Sequence, residues 1–120
     1  MKKVLLVEDN SPTRQAVLLK LVEQKIQTDV AIDGKEALEK IKRGSYALVI
    51  IDLLLPKVSG FEVIRSIRNN AATKNTKVLV FSNLNQDPNI EEAIKAGADA
   101  YYVKSDTNIH ELIKKIAEMI

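Results

Sequence analysis

The stretch IIDLLLPKVSG, residues 50–60, sets a single carboxylate, Asp52, inside the most apolar run of the chain. A carboxylate taken out of water without a partner is costly, so it is neutralised, paired, bound to a metal or left exposed. The run leading up to it, YALVII (46–51), is apolar and rich in β-branched residues, as a buried strand is. Pro56 and Gly60 behind it supply a turn. The sequence therefore predicts that Asp52 is the exposed tip of a strand and stands outside the core.

Strands and helices alternate on either side of this segment. KVLLV is a first strand ending at Glu8 and Asp9, after which Ser11 as N-cap and Pro12 as first helical residue open a helix running to about Lys25. TDVAI is a second strand, less apolar and suited to an edge. Asp33 caps a helix that ends near Gly44, with Ala37, Leu38 and Ile41 on one face. After Gly60, a helix carries Phe61, Ile64, Ile67 and Arg68. KVLVFS is a fourth strand, Asp87-Pro88 repeats the cap-then-proline signal, and Gly97 ends that helix. AYYVK is a fifth strand. Ile109, Leu112, Ile113, Ile116, Ala117 and Ile120 then follow a helical repeat. Five βα units joined by short loops predict an α/β fold: a doubly wound, five-stranded parallel sheet with helices on both faces. No linker, repeat or low-complexity segment divides residues 1–120, which read as a single domain with no output domain following.

Composition narrows the chemistry. The 120 residues can enclose a real core, which must be aliphatic because aromatics make up only 4%. There is no cysteine, so disulfides, thiol nucleophiles and cysteine zinc sites are excluded, and one histidine cannot build a histidine metal site. A net charge of +2 makes no case for direct nucleic-acid binding. The N-terminal apolar run is too short for a signal peptide, and nothing approaches a membrane span, so a cytoplasmic protein without membrane insertion is expected.

In open parallel sheets, ligands gather beyond the carboxyl ends of the strands. Those ends carry Glu8 and Asp9, Asp52, Ser82, and Lys104. Clustered carboxylates repel one another, and a hard divalent cation with oxygen ligands relieves the repulsion. A central carboxylate can act as a nucleophile toward phosphorus, with Lys104 neutralising phosphoryl charge and Ser82 donating a hydrogen bond.

At these residues the chain resembles the receiver domain of two-component response regulators, over essentially its whole length. The family's acidic pair is matched by Glu8 and Asp9, and its phosphoacceptor with trailing proline and glycine by Asp52, Pro56 and Gly60. Its strand-4 hydroxyl is matched by Ser82, its strand-5 aromatic by Tyr101 and its lysine by Lys104. The resemblance implies a (βα)5 flavodoxin-like fold acting as a phosphorylation switch rather than a turnover enzyme. It implies Mg²⁺ (Mn²⁺ as a substitute) held by Glu8, Asp9, Asp52 and the Leu54 backbone carbonyl, with Glu8 acting mostly through a metal-bound water. A histidine kinase or phosphotransfer protein is the implied donor, and Ser82, Tyr101 and Lys104 form the phosphate-binding and switch set. Output passes to a downstream protein target, from a monomer or a weak phosphorylation-linked dimer.

Three positions depart from the family pattern. Asn83 follows Ser82 where a small residue is usual. Ser105 follows Lys104 where proline is usual, and a cis bond before a non-proline residue costs about 2.5–4 kcal/mol. Leu54 stands where many members are polar; with Asn83 and Leu84 it is expected to gate hydrolysis of the phosphorylated form. The Asn83 and Ser105 departures support an alternative, a pseudo-receiver kept for protein interaction with little or no phosphorylation. An aspartate-nucleophile phosphatase would need a second carboxylate where Leu54 lies. A flavodoxin-type cofactor binder would need a phosphate loop where EDNSPT carries two acids. His110 reads as a surface residue, and Lys114 and Lys115 suit a helix end.

Overall fold

A computed structural model describes residues 2–120. The chain runs β1 (Lys3–Val7), α1 (Ser11–Glu23), β2 (Gln27–Ala31), α2 (Gly34–Arg43), β3 (Leu48–Ile51), α3 (Gly60–Asn69), β4 (Lys77–Ser82), α4 (Asp87–Ala96), β5 (Ala100–Val103) and α5 (Ile109–Met119), with a 3-10 turn at Lys104–Asp106. All strands are parallel, in the order β2-β1-β3-β4-β5. The expected edge position of the second strand is correct. The order reverses at β1, which has β2 on one side and β3 on the other, so the β1 and β3 carboxyl ends open a crevice side by side.

Alternation along the central strands makes two cores. Leu5, Val7, Val49, Ile51, Val78 and Val80 point to one face and pack with Ala37 and Ile41 of α2, Val63, Ile64 and Ile67 of α3 and Ala93 of α4. Val4, Leu6, Leu48, Ile50, Leu79 and Phe81 point to the other, against Val17 and Leu21 of α1 and Leu112, Ile113 and Ile116 of α5. Strands covered on both faces must be apolar at every position, and β3 is: Leu48–Ile51 are all buried.

The helix starts refine the sequence reading. Asp33 caps α2 as expected, its Oδ1 accepting the Glu36 N–H at 2.7 Å, and Gly44 closes that helix. Ser11 is not the cap of α1; Asn10 is, its Oδ1 accepting the Thr13 N–H at 3.0 Å. A side-chain carbonyl on Asn caps as well as a hydroxyl does, so NSP offers two overlapping start signals. Asp87 does not cap α4 either: it is the first helical residue, behind Gln86, which makes no side-chain capping bond. Ser59 and Asn108 cap α3 and α5. No peptide bond among the described residues is cis.

Gly60 locates the acceptor strand relative to α3. A Cβ on it would lie 2.3 Å from the Asp52 carbonyl oxygen, far inside contact distance. Only glycine lets the first turn of α3 press against the end of β3, and its N–H then reaches the Leu53 carbonyl at 3.0 Å.

Candidate functional site

Glu8 and Asp9 follow β1, and Asp52 follows β3. Because those strands are neighbours in register, with Val7 opposite Ile51, the three carboxylates arrive together. One oxygen from each lies within 4.8 Å of the others. Lys104, one residue past β5, reaches in from the far side of β4. Its Nζ stands 2.7 Å from Glu8 Oε1 and 2.8 Å from Asp52 Oδ2.

The expectation that Asp52 is an exposed tip is overturned. Asp52 is 7% exposed and Glu8 only 2%, while Asp9 is open to solvent. The carboxylate is tolerated because it is paired: Lys104 meets Oδ2, and the Leu54 N–H donates to Oδ1 at 3.2 Å. Glu8 is held likewise by Lys104 and by the Asn10 N–H on Oε2 at 3.1 Å. No side-chain nitrogen or oxygen buried among the described residues lacks a partner. Burial raises the Glu8 pKa, and the Lys104 ammonium only partly offsets this. Burial works against the charge on Lys104, but its bonds to Asp52 and Glu8 outweigh it, and its pKa rises.

Ser82 is fully buried at the end of β4, its Oγ accepting the Leu84 N–H at 3.3 Å. Tyr101 is half-buried on β5 and packs against the α2–α4 side of the core. Its hydroxyl donates to the Leu84 carbonyl at 2.6 Å, so strand 5 holds the loop after Ser82 through one hydrogen bond. Burial, and then the nearby Asp52 charge, raise the Tyr101 pKa. Leu54 is exposed at 58%, Leu84 is half-buried, and Asn83 is exposed, lining a shallow cleft with Phe81, Lys104, Ser105 and Pro12. His110 lies exposed in the first turn of α5.

Two contributors escape the sequence reading. Arg14, on α1, donates from Nη1 to the carbonyls of Glu8 at 2.9 Å and Asp9 at 3.3 Å, fixing the loop that carries both acids. Phe81 lies beneath Lys104, with Nζ 5.8 Å from the ring centre, inside cation–π range. An arginine four residues after the helix cap was the available signal for the first. Nothing local marks the second.

The donor set suits magnesium. All the candidate ligand atoms are hard oxygens, and opposite ligands in a magnesium octahedron stand about 4.1 Å apart. The three carboxylate oxygens lie within 4.8 Å of one another, a bound slightly wider than that span.

The chain belongs to the response regulator receiver domain family, whose model matches residues 4–117. Receiver domains work in two-component systems with histidine kinases and downstream effectors, as signalling switches rather than turnover enzymes. Response regulator ArlR of Staphylococcus saprophyticus is 32% identical over 120 residues, which is all of this chain and 53% of that protein. The chain likewise spans about half of VanRB of Enterococcus faecalis, at 33% identity over 118 residues, 98% of the chain and 52% of that protein. Among solved structures, TrrA of Thermotoga maritima in complex with Mg²⁺–BeF aligns with TM-score 0.86 and 34% identity, over 100% of both chains. No helix among the described residues is long and apolar enough to cross a membrane.

Proposed function

We propose that this chain accepts a phosphoryl group on Asp52 from the phosphohistidine of a histidine kinase or phosphotransfer protein, and signals by protein contact. The observation that carries the reading is the meeting of Glu8, Asp9 and Asp52 oxygens within 4.8 Å, with Lys104 bridging Glu8 and Asp52. An Asp52 carboxylate oxygen attacks phosphorus, the P–N bond breaks, and the imidazole leaves. Magnesium, with manganese as a substitute, would be held by Glu8, Asp9, Asp52 and the Leu54 carbonyl, Glu8 acting mostly through water, and would supply neutralisation of phosphoryl charge. Lys104 swings one of its hydrogen bonds from Asp52 to a phosphoryl oxygen. Ser82 turns its hydroxyl from the Leu84 N–H toward another.

That second movement bears on the output. Drawing Ser82 inward loosens the loop at Leu84 and the Tyr101 hydroxyl bond to it. Phosphorylation then favours one of two arrangements of the α4–β5–α5 face by its differential contact with them. The receiver unit works in the cytoplasm, as a monomer or a weak phosphorylation-linked dimer, on a downstream protein target and without direct contact to nucleic acid. Leu54 and Leu84 flank the approach of water to the phosphorylated Asp52, and neither can orient it by hydrogen bonding, with Asn83 adding crowding; the adduct is accordingly long-lived.

Mass spectrometry after incubation with acetyl phosphate tests the reading. A single phosphoryl adduct at Asp52 is expected with Mg²⁺, absent from Asp52→Asn and weakened in Asp9→Ala. Equal adduct in excess chelator would sink the mechanism.

A further inference from the structure

The loop that carries Leu54 is held from a different βα unit. Pro56, Lys57 and Val58 form a γ-turn in which the Val58 N–H donates to the Pro56 carbonyl at 2.8 Å. Lys57 sits at φ +71°, a strained conformation for a residue with a side chain, and such strain persists only where the surroundings enforce it. The surroundings are the β2–α2 turn. The Gly34 N–H donates to the same Pro56 carbonyl at 3.3 Å, and Lys57 Nζ lies 3.5 Å from Asp33 Oδ2. Gly34 also abuts the turn directly, since a Cβ there would fall 2.0 Å from the Val58 carbonyl oxygen. Gly97 is the only described glycine at positive φ, so Gly34 is required for space and not for backbone freedom. At its other end the loop is closed by the Gly60 bond to Leu53. Leu54 lies between these two anchors.

We propose that Gly34 and Asp33 are positioning residues for the acceptor chemistry: the β2–α2 turn clamps the γ-turn, and so sets where the Leu54 carbonyl meets the metal. The inference rests on the magnesium reading and extends it to residues that touch neither metal nor phosphate. A misplacement of about 1 Å in a positioned group can cost two orders of magnitude in rate, so a clamp of this kind has leverage.

The test uses Mg²⁺ alone, titrated into ¹⁵N-labelled protein and followed by amide shifts, together with hydrogen exchange at Leu54 and Val58. Gly34→Ala forces the Val58 carbonyl away by an ångström or more. It is expected to weaken Mg²⁺ binding about tenfold and speed exchange at both amides. Asp33→Asn keeps the α2 cap but loses the ion pair; with Lys57→Gln it should weaken binding about two- to fivefold at an unchanged urea midpoint, and Lys57→Arg should restore it. Should Gly34→Ala fail to fold, Asp33→Asn and Lys57→Gln decide. Wild-type Mg²⁺ affinity in the folded variants overturns the clamp while leaving the magnesium reading intact. A wild-type protein that binds no Mg²⁺ overturns both.

Discussion

Lys104→Ala should cost far more stability than Asp52→Asn, and magnesium should repair only the first. Three carboxylates and one ammonium share the crevice, a net charge of −2. Removing the ammonium leaves Glu8 and Asp52, with side chains 2% and 9% exposed, facing each other and Asp9 without a counter-charge. Breaking a buried pair by deleting one partner costs about 3–5 kcal/mol. Protonation sets a ceiling, because burial already raises the Glu8 pKa and a proton can take the place of the missing ammonium. Lys104→Ala should therefore lose about 3 kcal/mol, the low end of that range. Asp52→Asn instead removes one of three like charges and leaves Lys104 on Glu8, so its stability should change by less than about 1 kcal/mol or rise. Urea denaturation in chelator measures both. Repeating it with Mg²⁺ should return much of the Lys104→Ala loss, because a cation that binds only the folded state stabilises it by mass action. A Lys104→Ala loss below about 0.5 kcal/mol in chelator, or equal losses in the two variants, would refute this account of how the buried acids are tolerated.

Arg68 should prove a stability residue remote from the chemistry. Its guanidinium donates to the carbonyls of Gly97, Lys74 and Thr76 and pairs with Asp99 at 2.9 Å, tying α3 to the starts of β4 and β5. Arg68→Ala should cost about 2–4 kcal/mol in urea, with Arg68→Lys intermediate because a point charge cannot span that fork, and Asp52 labelling should be unchanged. Tyr101→Phe should cost about 1 kcal/mol and speed amide exchange over residues 83–86, since the hydroxyl bond to Leu84 is lost; unchanged exchange would deny Tyr101 its hold on the loop. Leu54→Asn and Leu84→Glu should each hasten loss of phosphate from the purified adduct, and rates at or below wild type would remove the two leucines as gates. The Tyr46–Asp29 hydrogen bond, 2.7 Å long, should give two pH windows. Burial and the Asp29 bond push Tyr46 up to about 12 from 10.0, so that contribution is present below pH 10 and lost as pH climbs toward 12. Asp29 is lowered from 3.8, first by the Tyr46 bond, so its contribution is present above 3.8 and lost as pH falls through the folded value. In urea denaturation across pH, Tyr46→Phe should remove the alkaline window and shrink the acid one.

Much of the fold was legible because its signals are local. An apolar β-branched run such as LVII declares a strand wherever it lies, and Asp33 or Gly97 declares a helix end within one turn. The same locality made Glu8, Asp9, Asp52, Ser82 and Lys104 recognisable as strand ends and, by parallel pairing, as neighbours. Where two local signals overlap, as in Asn10-Ser11-Pro12, the sequence does not choose. The Asn10 carboxamide reaches the Thr13 N–H, and that geometry decides. Tertiary structure alone decided that Asp52 is buried. Exposure at a strand end depends on what the adjoining strands bring over it, and here the cover is an ammonium 52 residues along the chain. It also decided that Arg68 serves two loops, the one before β4 and the one before β5, and that Gly34 is a glycine for want of space beside Val58. No pattern within a helical turn or a strand repeat encodes such contacts, because they form between segments brought together only once the sheet has ordered.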